Sequence, residues 1–141
     1  MSPAEQLATL AKAKLGTDFT DDKVVPDDVS CAYAVTTILH EQDAREPICI
    51  GTFGLLTYFQ LNPRWQRIYE PKAGCVVVCI TGQGNNPKIP HGHTGIYLDS
   101  DLIASNSSAT GLWTQNYTRL SWRQHFYYEG GYPIYLYEKI S

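Results

Sequence analysis

The chain has 141 residues, with 11 Lys and Arg against 14 Asp and Glu, a formal net charge of −3 and a hydrophobic share of 43%. That length and balance suit a single domain over 1–141 and argue against a disordered chain; we find no internal repeat, linker or appended module. The mild acidity and the lack of a basic stripe argue against nucleic acid as a partner.

Met1–Leu10 lacks the basic and continuous apolar regions of a secretion signal and reads as an amphipathic helix. No stretch of the sequence is apolar over the length a bilayer requires, so no stable membrane insertion is expected and synthesis in the cytoplasm is. In Val25–Ser30, Pro26 and the paired acids Asp27 and Asp28 end an extended segment and offer oxygens to the free N–H groups of a helix from about Cys31 to Glu41. Ala34, Val35, Ile38 and Leu39 recur at helical spacing from Cys31, which puts the thiol between the core face and the exposed first turn. A helix N-terminus and a neighbouring imidazolium each lower a thiol pKa from about 8.5, so Cys31 is the candidate nucleophile. Cys49, Cys75 and Cys79 read as packed structural thiols without disulfides.

Thr52 caps a short helix through Phe53 to Leu61 that ends at Asn62-Pro63, and Trp65 to Glu70 reads as a short extended connection. Gly74 to Thr81 is a buried strand with Cys75 and Cys79 on one face, and Gly82 to Pro87 is a loop. His91-Gly92-His93 then enters a strand in which His93, Gly95 and Tyr97 share one face and Thr94, Ile96 and Leu98 the other. His93 is the candidate base, with Gly95 leaving room for a packed helix. The Asp99-Ser100-Asp101 turn folds the next strand back, which brings Ser105 and Asn106 toward His93. Asn106 is the candidate to orient the ring, as a third group does in Cys/His arrangements, and Ser105 is the next candidate.

His91 flanks the expected cleft, and Tyr33 and Trp113 are candidates to touch substrate. Trp113, Tyr117 and Trp122 follow a polar loop and are placed to pack or to stack on a sugar ring, and Tyr132 to Glu138 closes the chain as a strand. His91 and His93 with a third ligand such as His125, Cys31 or an Asp form the rival zinc reading. Neither a Cys-x-x-Cys pair nor a His-Glu-x-x-His helix supports it, so no metal and no cofactor are expected.

In order and context these segments resemble the papain-like clan of NlpC-type and CHAP cell-wall hydrolases. The resemblance rests on Val29-Ser30-Cys31-Ala32-Tyr33 at a helix start, Pro71–Val78 entering a strand, His93-Thr94-Gly95-Ile96-Tyr97-Leu98, and Ser105-Asn106, together covering roughly residues 25 to 110. The usual Asp-Cys-Ser-Gly run is absent, and Ser105 or Asn106 stands where many NlpC-type enzymes carry a second His. The resemblance implies a papain-like α+β fold: two or three N-terminal helices on an antiparallel sheet of about four to six strands, with the catalytic helix against its centre. It implies a monomeric cysteine peptidase or amidase acting on peptidoglycan. Cys31 attacks an amide carbonyl, His93 holds the thiolate and protonates the leaving amine, Asn106 orients His93, and Asp28 or Ser30 shapes the oxyanion hole. Without an export signal, a phage endolysin reaching the wall through a membrane lesion is the first expectation. An injected antibacterial effector, a zinc hydrolase and a non-catalytic wall-binding module are the alternatives.

Overall fold

The computed structural model describes residues 1–20, 31–49, 51–82 and 91–141. The capping residues Pro26, Asp27 and Asp28, the oxyanion candidates Asp28 and Ser30, and the loop residues 83–87 lie outside the described residues.

Helix α1 (Pro3–Ala13) opens on a reciprocal cap, with the Ser2 hydroxyl accepting from the Glu5 N–H and the Glu5 carboxylate accepting from the Ser2 N–H. Leu7 and Ala11 on its inner face are fully buried. Helix α2 (Cys31–Gln42) follows the expected bounds, and α3 (Thr52–Leu61) ends where Asn62 turns extended before Pro63. Gly51, not Thr52, occupies the N-cap position of α3.

Six strands form one antiparallel sheet: β1 (Trp65–Ile68), β2 (Val76–Gly82), β3 (His91–Tyr97), β4 (Leu102–Asn106), β5 (Trp113–Thr118) and β6 (Tyr135–Lys139), in the order β1-β6-β2-β3-β4-β5. Between β5 and β6 a helical turn, α4 (Arg119–Trp122), runs into a π-helical segment, Arg123–Glu129. Both faces of the sheet are covered, which is why β2 reads as an unbroken apolar run instead of alternating with polar residues. Val76 and Val78 pack with Ile96 and Leu98 against Ala34, Val35, Ile38 and Leu39 of α2. Cys75, Val77 and Cys79 point the other way, into a second cluster with Tyr97, Ile103, Trp122 and Phe126. Each fully buried Val, Leu or Ile in these layers contributes about 1.5–3 kcal/mol relative to exposure. Cys31, Cys49, Cys75 and Cys79 are free thiols, and Cys75 and Cys79 share a face as their spacing predicts.

The turn after α2 carries a buried ionic network. The Glu46 carboxylate is fully buried and accepts from the Tyr58 hydroxyl, the Trp65 Nε1–H and the Arg64 Nε–H. The Lys139 ammonium, 3% exposed, lies 2.9 Å from Asp43 and 3.5 Å from Glu46. These bonds and charges outweigh the desolvation of Glu46 and hold its pKa below the ordinary value. The network ties the α2–α3 connection to β1 and β6. No helix among the described residues is long and apolar enough to cross a membrane.

Candidate active site

Cys31 is the first residue of α2 and is 7% exposed. Its sulfur lies 3.6 Å from the Thr52 hydroxyl at the start of α3 and 3.8 Å from the Gly92 carbonyl oxygen on β3. Three elements therefore converge on the thiol, and Gly92 permits it. A Cβ at that position would stand 2.2 Å from the Cys79 carbonyl oxygen and 2.9 Å from the Thr52 methyl. Burial pushes the Cys31 pKa above the ordinary thiol value, and the Thr52 hydroxyl and the backbone N–H groups of Thr94 and Ala32 pull against it. This corrects the expectation of a lowered pKa: desolvation outweighs those hydrogen bonds. The same donors would nonetheless stabilise a thiolate once formed.

His93 shares a face with Gly95 and Tyr97 as expected, but that face is turned away from α2. It pairs across the strands with Cys79, whose sulfur accepts from the Trp122 Nε1–H. The imidazole stacks on a pair of aromatic rings, 5.3 Å from Trp122 at 22° and 5.8 Å from Phe126 at 20°. Thr94, Ile96 and Leu98 take the α2 face instead, so the structure does not bring His93 to Cys31. The physical reason is the helical segment after β5, whose Trp122 and Phe126 fall four residues apart and cover the second face. Burial, with His125 nearby, pushes the His93 pKa down to about 4, so the ring is neutral at neutral pH.

Asn106 does not orient His93 either. The His93 Nε2 lies 3.0 Å from the Ser105 hydroxyl, which donates to the Asn116 Oδ1 at 2.7 Å. With its single hydrogen given to Asn116, the Ser105 oxygen accepts the Nε2–H of His93. Gly95 makes this crossing possible, since a Cβ there would stand 2.6 Å from the Ala104 carbonyl oxygen and 3.2 Å from the Ser105 Cβ. Asn106 is buried and paired in register with Trp113, on the same face as α2. Continuing the Ile96–Ala104 register sets it beside Thr94, whose N–H serves the Cys31 sulfur.

Trp113 is not a substrate contact. It is fully buried, donates its Nε1–H to the Ala11 carbonyl at 3.0 Å and meets Phe19 edge-on. Tyr33 is half-buried in the first turn of α2. His91 begins β3 and pairs with Gly82; its side chain lies outside the described residues. Among the described residues no group of three or more His, Cys, Asp or Glu is placed to hold a metal ion. Sequence reasoning missed Thr52 and the Thr94 amide as partners of the thiol, because neither signals itself until α3 and β3 are packed together.

No family model matches this chain, and no curated protein matches it in sequence. In structure it is similar to the type VI effector–immunity complex Tae3–Tai3 from Ralstonia pickettii, with a TM-score of 0.57 at 17% identity over 96% of this chain and 97% of that one. It is also similar to NlpC2 and NlpC1 from Trichomonas vaginalis, with TM-scores of 0.60 and 0.59, each at 15% identity over 99% of this chain. The chain spans 46% and 44% of those two proteins, less than half of either. The expected α+β architecture, helices packed on an antiparallel sheet, is the papain-like fold shared with these neighbours, and its six strands are the upper end of the four to six expected.

Proposed function

We propose that the chain is a cysteine-dependent hydrolase cleaving an amide bond of peptidoglycan, with Cys31 as nucleophile. The observation that carries this is the convergence of α2, α3 and β3 on one thiol at a helix start, with hydrogen-bond donors from Thr52, Thr94 and Ala32 around the sulfur. The resemblance of the Cys31 and β3 segments to NlpC-type cell-wall hydrolases, together with the fold shared with NlpC proteins, supports the wall as substrate. The likeness to a type VI effector favours a delivered antibacterial effector over an endolysin.

A buried thiol needs a base to take its proton as substrate enters. His93 is packed on the far face, and the other histidine of β3, His91, starts the strand one residue before Gly92. We assign His91 as that base. The thiol proton passes to the imidazole, the sulfur adds to the amide carbonyl, and the proton returns to the amine as the carbon–nitrogen bond breaks. Water then hydrolyses the thioester to a carboxylic acid and restores the thiol.

The test is mass spectrometry of products released from purified peptidoglycan by wild type, His91→Ala and His93→Phe. New amine and acid ends from the wild type, lost by about a hundredfold or more in His91→Ala and kept in His93→Phe, are expected. Loss in His93→Phe with retention in His91→Ala would overturn the assignment of the base. Wild-type release of sugars without new amine ends would overturn the reaction class.

A further inference from the structure

On the face of the sheet opposite Cys31, a cleft of about 320 Å³ opens between β1, β6 and the helical segment after β5. That volume falls within the range of small-molecule sites. Its floor is apolar, made by Ile68, Ile134 and Leu136, and tyrosines 69, 97 and 127 add aromatic wall. The charged groups lining it are Arg119, Arg123 and Glu70.

Arg119 and Arg123 stand four residues apart, one helical turn, and both reach the cleft. Arg119 is held by Glu70 at 3.2 Å, but the Glu70 side chain is 83% exposed, so this rim pair is weak and open to exchange. Arg123 forms no ion pair among the described residues; its guanidinium lies 5.9 Å from the Tyr128 ring centroid. The cleft thus carries a charge of about +1 above an apolar floor, and it presents guanidinium forks that match a planar carboxylate better than a point charge does. A dianion would face Glu70, whereas a monoanion balances the set.

From this arrangement we infer that the cleft is a second binding site, separate from Cys31, for a monocarboxylate on an apolar body, with the free C-terminus of a short peptide as its ligand. The carboxylate meets Arg123 and draws in Arg119, and the terminal side chain sits on Leu136 and Ile134 between the tyrosines. The peptide backbone leaves past Glu70 toward solvent.

The experiment titrates the full chain, labelled for amide NMR, with N-acetyl-alanyl-alanine and separately with its C-terminal amide. The acid is expected to shift residues of the Tyr69–Pro71 and Arg119–Tyr127 segments while leaving those around Cys31 and Thr52 in place. The amide is expected to bind about tenfold or more weakly, the difference a charge-assisted hydrogen bond makes. Arg123→Gln, a change at an exposed position that leaves the core untouched, should weaken the acid to the level of the amide and leave the amide unchanged. Equal binding of acid and amide, shifts centred on Cys31, or no shift at millimolar acid would each overturn the proposal.

Discussion

Replacing His93 with Phe separates a structural imidazole from a catalytic one. A phenyl ring keeps the stack on Trp122 and Phe126, and Ser105 keeps its bond to Asn116, so the variant should fold. Its effect on acid stability follows from the direction of the pKa shift. The imidazole titrates near 6.5 in the unfolded chain and near 4 in the fold. Between those values the unfolded state binds a proton that the folded state refuses, so stability present above pH 6.5 is lost as the pH falls toward 4. A separation of about two and a half pH units sets that loss on the order of 2–3 kcal/mol. Urea unfolding of wild type and His93→Phe at pH 7, 5.5 and 4 measures it. The gap between the two proteins should shift in favour of the variant by that amount on acidification, with hydrolysis retained. Parallel pH dependence would show that the ring is not held neutral by burial.

Glu46→Gln should cost about 3–5 kcal/mol in the same unfolding assay, because it leaves Arg64 without its carboxylate and the nearly buried Lys139 with Asp43 alone. Gly92→Ala should destabilise by about 1–3 kcal/mol and lower hydrolysis more than it lowers stability, since the new methyl pushes on the Cys79 carbonyl of β2 and on Thr52 beside the nucleophile. Thr52→Val keeps the shape and removes the hydroxyl at 3.6 Å from the Cys31 sulfur, so the thiol pKa should rise further and its iodoacetamide alkylation slow, while the unfolding midpoint stays near wild type.

The elements that signal themselves locally were legible in the sequence. The helical spacing from Cys31, the Asn62-Pro63 stop, and the alternation through His93–Leu98 each reappear in the structure. Alternation states which residues share a face but not what covers that face, and this is where the reading of His93 failed. The segment after Thr118 read as loose aromatics, yet Trp122 and Phe126 form the layer that claims His93, and β5 buries Trp113 against α1. Ser105 bonds His93 while its neighbour Asn106 faces α2, a one-residue distinction that only the pairing of β3 with β4 decides. The raised Cys31 pKa was hidden for a related reason: the sequence places the thiol at a helix start, and only packed α3 and β3 bury it.

The role of Cys31 is tested most directly by product analysis of purified peptidoglycan treated with wild type and with Cys31→Ala, the fold of each checked by its unfolding curve. The wild type should release fragments with new amine and carboxylic acid ends, and Cys31→Ala should release none above background while unfolding at nearly the same urea concentration. Undiminished release by a folded Cys31→Ala protein would contradict a thiol mechanism at this site.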